Sequence, residues 1–247
     1  MYMLALRTLI ITIFHVSILS APQVTLGLES SPGLIYSRLS ARLRQIVDII
    51  PQAKSSYLSN IADVGCDHGL LSKAISQSVP CRNIYAIISS LAALKNAQET
   101  LYGETKVTTY LGSGLQPIFD KVDDTFIIIT AGMGTNTIKE ILSPILLSEK
   151  KVYGIAVQPW PPYLPKLEEL HALMTLYGYM LQNRSISACP RRGETRFYPT
   201  FLYQYDPSNC NLELNLSEHI ENDEKSMPTL WKVFLTSQRS AMAKSLR

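Results

Sequence analysis

The chain reads as an α/β domain, a mostly parallel sheet with helices on both faces, and three observations predict it. Short apolar runs rich in β-branched residues alternate with stretches of helical periodicity along most of the sequence. One run, Phe126 to Thr130 (FIIIT), is apolar without alternation, as a strand covered on both faces must be. The stretch Asp63-Val-Gly-Cys-Asp-His-Gly69 joins the first apolar run to a helix, and in an open parallel sheet such a loop is the usual place to meet a ligand.

From Tyr36 to Ile50 apolar residues fall at Leu39, Leu43, Ile46, Val47 and Ile50, the spacing of an amphipathic helix, and Pro51 stops it. Leu58 to Val64 reads as the first strand and His68 to Ser78 as the next helix. Ile84 to Ile88 is a strand, followed by a helix carrying Leu91, Leu94 and Ala97. Val107 to Leu111 and Phe126 to Thr130 are strands, Ile138 to Leu147 a helix, Val152 to Val157 a strand and Leu164 to Leu176 a helix. Tyr179 to Ile186 and Arg196 to Tyr205 make the last two strands. Asp206 to Pro228 is polar and acidic and reads as a linker. Beyond it Leu230, Val233, Phe234 and Ala241 mark a short C-terminal helix with a basic end. The expected organisation is a leader over residues 1–35, the α/β domain over 36–205, and a linker with a helical tail over 206–247.

The chain has 247 residues, 46% of them hydrophobic and 17% charged, the balance of a globular protein. A formal charge of +3 supplies no global field for nucleic acid, so an RNA or DNA partner requires a local patch. Cys66, Cys81, Cys189 and Cys210 form no C-x-x-C pair, and no metal site is expected. Met3 to Leu19 is apolar with Arg7 as its one charge. The run after Arg7 is shorter than a membrane span needs and suits a secretory signal. The Ser- and Arg-rich SSPGLIYSRLSARLRQ after it has the composition of a transit peptide. Import into a plastid- or apicoplast-like organelle is the expectation; the secretory pathway or a membrane anchor is the alternative.

In the loop, Asp63, Gly65, Asp67 and Gly69 stand at alternate positions, whereas a dinucleotide fingerprint places its glycines elsewhere. Gly65 suits a backbone turn that a β-carbon would obstruct, and Gly69 a close approach of loop and ligand. The D-x-G-x-x-x-G pattern resembles the first motif of class I S-adenosylmethionine (SAM) methyltransferases, a Rossmann-like fold. The helix LSARLRQIVDIIP (39–51) stands upstream, ITAGMGTNTIKEIL (129–142) closes the fourth strand, and GIAVQPW (154–160) closes the fifth. With these, about Leu39 to Tyr205 resembles the bacterial tRNA adenine N1-methyltransferases that act on position 22. The resemblance implies SAM as cofactor, tRNA as partner and N1-methyladenosine as product. It implies a cofactor set of Asp63, Gly65, Gly69, Ser89, Ser113, Gly114, Ala131 and Gly132. Asp67, His68, Met133 and Gln158 fall on the reacting side, with Trp160 placed to stack on the base or cap the core. Asp63 either fixes the loop or accepts from the amino-acid end of SAM.

The chain also departs from that family. Ser89 stands where an acidic residue binds the ribose, and Ser113, in GSGL (112–115), where the family has an aspartate near the adenine of SAM. AGMGT and QPW replace AGMGG and QPN. The tail LWKVFLTSQRSAMAKSLR is similar only to the beginning of the helical hairpin thought to grip tRNA. Arg184, Arg191, Arg192 and Arg196, with Lys225, Lys232, Arg239, Lys244 and Arg247, are the candidates for phosphate contacts. These departures leave two rivals: a catalytically weak or inactive relative that binds RNA, and a methyltransferase for another substrate, small molecules included.

Overall fold

A computed structural model describes residues 33–50, 59–206, 208, 216 and 229–245. Nearly all of the expected leader, most of the linker and Cys210 lie outside these residues. Five strands pair in parallel: β1 (Asn60–Val64), β2 (Ile84–Ile88), β3 (Val107–Leu111), β4 (Phe126–Met133) and β5 (Gly154–Pro159). β6 (Tyr179–Arg191) and β7 (Glu194–Tyr205) close the sheet as an antiparallel hairpin, in the order β3-β2-β1-β4-β5-β7-β6. The chain runs outward from β1 to β3 and returns to β4. The order therefore reverses between β1 and β4, and a crevice forms at their carboxyl ends.

The helices are α1 (Gly33–Arg38), α2 (Ala41–Ile49), α3 (Leu70–Ser78), α4 (Leu91–Thr100), α5 (Thr135–Leu146), α6 (Leu164–Leu176) and α7 (Thr229–Ser245). Every residue of β1 and β5 is buried, as is Phe126 to Thr130 of β4, in keeping with a sheet covered on both faces. The single helix expected over 36–50 is two. Ser40 adopts an extended backbone (φ −61°, ψ 152°), and its carbonyl accepts from the amides of Leu43 and Arg44 to start α2. A 3-10 turn at Gln116–Lys121, absent from the expected elements, connects β3 toward β4.

The terminal hairpin is longer than expected. Only Val157 to Gly154 of β5 pair with β7, at Phe201 to Gln204, so residues 194–200 continue past β5 on the carboxyl side of the sheet. Their pairing with Ser185 to Arg191 of β6 sustains them there. The expected tail is part of the main core: Trp231, Phe234 and Leu235 of α7 are buried with the sheet residues Phe201 and Tyr203. Ring centroids of Phe201 and Trp231 are 5.8 Å apart, and those of Phe197 and Phe234 5.9 Å. Gln238 accepts through Oε1 from the Leu164 amide (3.2 Å), one of the amides that the first turn of α6 leaves without an intrahelical partner. Leu216, fully buried, donates its amide to Glu168 Oε2 at 2.6 Å.

Phe234 has no exposed surface. Replacing it with alanine is expected to lower the unfolding free energy by about 3–5 kcal/mol, whereas Leu230→Ala on the exposed side of α7 stays within about 0.5 kcal/mol. Urea denaturation of the full chain measures both.

Candidate active site

β1 ends in a loop that two left-handed glycines shape, Gly65 (φ +81°) and Gly69 (φ +74°). The amides of Gly65 and Cys66 both donate to the Ile87 carbonyl of β2 at 3.0 Å, which ties the loop to the neighbouring strand. The Asp63 carboxylate points into the protein beneath the loop, where Ser72 of α3 donates to its Oδ2 at 2.6 Å. Burial raises the Asp63 pKa above the usual carboxylate range, and hydrogen bonds from Ser72 and Cys66 oppose the rise. Burial, together with the Asp63 charge, pushes the Cys66 thiol up as well. Asp63 thus fixes the loop to the first turn of α3 while lining the crevice. Gly69 serves packing on α4: a β-carbon there would lie 2.9 Å from Leu101 Cγ and 3.2 Å from the Ala97 carbonyl oxygen.

The end of β4 carries a bulge. Ala131 pairs with Gln158 and Met133 with Pro159, leaving Gly132 (φ +73°) unpaired between them. The bulge turns Met133 over the β1 loop, where a β-carbon at Gly65 would overlap Met133 Cε. Two clefts meet at this contact. The first, about 470 Å³, is lined by Asp63, Gly65, Asp67, His68 and Gly69 from the loop, Ser89 and Ser90 after β2, and Ala131, Gly132 and Met133 from β4. Arg42 of α2 completes its wall, with Nη1 3.1 Å from where a Gly132 β-carbon would stand. The second, about 620 Å³, is lined by Gly65, Ser89, Ser113, Gly114 and Met133, by Phe119 and Asp120 of the 3-10 turn, and by Thr137, Glu140 and Ile141 of α5.

Asp67 and His68 stand at the mouth of the first cleft, side chains largely exposed, with His68 Nε2 3.1 Å from Asp67 Oδ2. Ser89 joins the two clefts, and Ser90 caps α4 by accepting from the Ala93 amide (3.2 Å). One expected residue is elsewhere. Gln158 is fully buried and lines neither cleft; its Nε2 donates to the Arg42 carbonyl (2.9 Å) and to Thr200 Oγ1 (2.8 Å). The hairpin that continues past β5 meets it through Thr200, so it braces α2 and β7 and stands away from both clefts, not at the base edge where it was expected. Trp160 donates its amide to the Met133 carbonyl (2.9 Å) and stacks on Tyr198, centroids 4.8 Å apart and planes 29° from parallel. Arg42, Phe119 and Glu140 were absent from the expected set. For Arg42 a signal existed, because it sits inside the LSARL stretch that carries the resemblance.

Residues 39–186 match the family model of a methyltransferase domain. The chain belongs to that family. No curated protein matches it significantly in sequence. Among solved structures it is similar to TrmK of M. capricolum in complex with S-adenosylhomocysteine, with a TM-score of 0.63 at 20% identity over 84% of this chain and 87% of that one. The B. subtilis M1A22 tRNA methyltransferase TrmK gives 0.58 at 19% identity, covering 83% and 86%. A Streptococcus agalactiae protein of the NADB-Rossmann superfamily gives 0.63 at 18% over 84% and 86%. At these identities the likeness establishes the Rossmann-like fold.

The methyl donor of the family is SAM, and the residues fit it. A cleft of mixed lining, with Asp63, Asp67, Ser89 and Ser90 to meet a charged amino-acid end, adjoins a more apolar cleft with Leu115, Phe119 and Ile141 suited to a flat heterocycle. They join at Gly65, where a side chain is missing. Asp63, Gly65, Gly69 and Ser89 would hold the amino-acid end, and Ser113 and Gly114 the adenosyl end. Among the described residues no three His, Cys, Asp or Glu side chains gather as a metal would require.

Gly65→Ala must displace either Met133 or the loop, and is expected to weaken SAM binding by tenfold or more while the far-UV circular dichroism spectrum is retained; calorimetric titration with SAM checks it. Asp63→Asn tests the buried carboxylate. A raised native pKa means the folded state holds the proton more tightly than the unfolded chain, so wild-type stability falls as pH climbs from about 4 through the raised value. The Asn variant lacks that loss. Its stability relative to wild type should increase as pH rises above about 4 in urea denaturation, and a pH-independent difference would contradict the assignment.

Proposed function

We propose that the protein transfers the methyl group of SAM to N1 of an adenine in tRNA, position 22 being the site to which the resemblance points. The observation that carries this reading is the placement of two distant motifs on one cleft: D-x-G-x-D-H ends β1, and A-G-M-G ends the adjacent β4. The small residues Ala131, Gly132 and Gly134 leave room for a planar base beside the methyl donor. The B. subtilis TrmK structure, an M1A22 tRNA methyltransferase, has the same fold.

SAM supplies an electrophilic sulfonium methyl when bound. The N1 atom of neutral adenine carries an in-plane lone pair, so the N1–C bond forms as the S–C bond breaks and no proton leaves beforehand. A general base is therefore not required, and the Asp67–His68 pair positions the substrate. Holding the two reactants in line contributes on the order of 7–11 kcal/mol, and the bulged strand end with its close-packed loop is rigid enough to do it. An adenine in a stem must first be extruded, at a cost of a few kcal/mol. The leader-like composition of the N-terminal residues supports an organellar setting for this work.

A second reading has its own support. Ser89 and Ser113 supply neutral partners where the resemblance leads one to expect carboxylates, and charge-assisted hydrogen bonds are roughly twice as strong as neutral ones. On that reading the fold binds RNA without methylating it. One experiment separates the two. The full chain is incubated with methyl-labelled SAM and an unmodified tRNA transcript, and the digested RNA is analysed for nucleosides. Labelled N1-methyladenosine is the expected result. Methyl transfer confined to small metabolites, or tRNA binding without SAM binding, would replace the proposed function.

A further inference from the structure

The hairpin that continues past β5 carries a row of stacked groups that the transfer chemistry does not use. Alternate residues of a strand share a face, which places Arg196, Tyr198 and Thr200 of β7 in one row. Thr200 meets Gln158, and Tyr198 meets Trp160. The Arg196 guanidinium lies over the Trp160 ring at 5.2 Å, and that of Arg42 over the Tyr198 ring at 5.8 Å. Arg42, Tyr198, Trp160 and Arg196 form a ladder, two rings flanked by two guanidiniums. Its Arg42 end forms the wall of the first cleft against Gly132, and its Arg196 end lies on the projecting arm.

Three features give this ladder a ligand chemistry. Both guanidiniums rest on rings, and among the described residues neither is ion-paired with a carboxylate. A guanidinium seated over a ring is restrained in position, and its planar fork of N–H donors suits the oxygens of a phosphodiester. The arm is also strongly biased in charge: residues 184–200 include Arg184, Arg191, Arg192 and Arg196 against the single acid Glu194. The Trp160 amide is bonded to the Met133 carbonyl, which fixes the ladder to the end of β4 where the two clefts meet.

We infer that this ladder is the RNA-binding rim of the site, Arg196 and Arg42 contacting backbone phosphates on either side of the nucleotide whose base lies against the Ala131–Gly132 wall of the first cleft, beside the methyl donor. The inference rests on the tRNA reading above and adds to it the surface that holds the RNA. Trp160 fixes Arg196 in place, and so acts as a positioning residue for the phosphate contact.

The test uses the full chain and a fluorescent, unmodified tRNA transcript, titrated over a series of salt concentrations. Arg196→Ala is expected to weaken tRNA binding about tenfold. It should also make the dependence of log K on log salt shallower by about 0.7, the loss of one phosphate contact to a single strand. Trp160→Ala should weaken binding with the charge still present, and Trp160→Phe, which keeps a ring beneath Arg196, should restore most of it. SAM affinity of the Arg196 and Trp160 variants, measured by calorimetry, should remain that of wild type, showing that the cleft is intact. Wild-type tRNA affinity and salt slope in Arg196→Ala would overturn the inference and leave the tRNA reading standing. Failure of the wild-type chain to bind tRNA at all, with SAM bound normally, would overturn both.

Discussion

Met133 lying over Gly65 is the contact on which the rest of the site depends. It requires a residue without a β-carbon at the end of β1, and a bulge at the end of β4 that turns one side chain toward the neighbouring strand. Gly65 and Gly132 meet those requirements with positive φ angles that other residues adopt at a cost. The contact divides the crevice into a cleft of mixed lining and a more apolar one, and it joins them at the point where the two halves of an extended cofactor would meet. Methionine suits the position because its unbranched side chain changes rotamer without moving the backbone. The same residue holds Trp160 through its carbonyl. Met133 therefore contacts the β1 loop through its side chain and Trp160 through its backbone.

Electrostatics distinguish the carboxylate that is buried from those that line open walls. Asp63 is removed from water, and Ser72 and Cys66 compensate only part of that cost. Such a group is kept for the rigidity it gives the loop. Ser89 and Ser113 are exposed, so a carboxylate in place of either would change the fold little and be felt mainly by the ligand. Asp120 and Glu140 line the same second cleft as Ser113, which gives its wall acidic groups.

What was legible in the sequence follows from how strongly burial marks a residue. The parallel strands β1, β2, β4 and β5 were marked by their apolar runs, because both faces of the sheet are covered there. The loop glycines were legible as turn residues, although the reason for Gly69 was not, since Leu101 and Ala97 are distant in sequence. The outer part of the hairpin was hidden because residues 187–195 show no apolar alternation and owe their strand conformation to pairing across the hairpin. Gln158 was misplaced for the same cause. A polar residue at a strand end belongs at the rim of a crevice unless another strand continues past it, and β7 does. Arg42 lay in a helix whose periodicity accounted for its apolar neighbours and was silent about its polar face.

The C-terminal helix and the ladder of Arg42, Tyr198, Trp160 and Arg196 meet on opposite faces of one strand. Odd residues of β7 face α7, with Phe197 against Phe234 and Phe201 against Trp231. Even residues face α2 and the cleft, with Thr200 on Gln158, Tyr198 on Trp160 and Arg196 over Trp160. A two-stranded ribbon that extends past its sheet is marginal by itself and gains order from packing. Burial of the α7 aromatics supplies that packing, and so fixes the side chains on the other face. The helix thereby supports the cleft's rim without touching it. Loosening α7 would free the arm first, because β1, β4 and the loop between β1 and α3 are held by hydrogen bonds that do not pass through β7. On this arrangement the cofactor loop and the hairpin arm are held by separate contacts of one sheet, the first by the pairing at its centre and the second by the packing of α7.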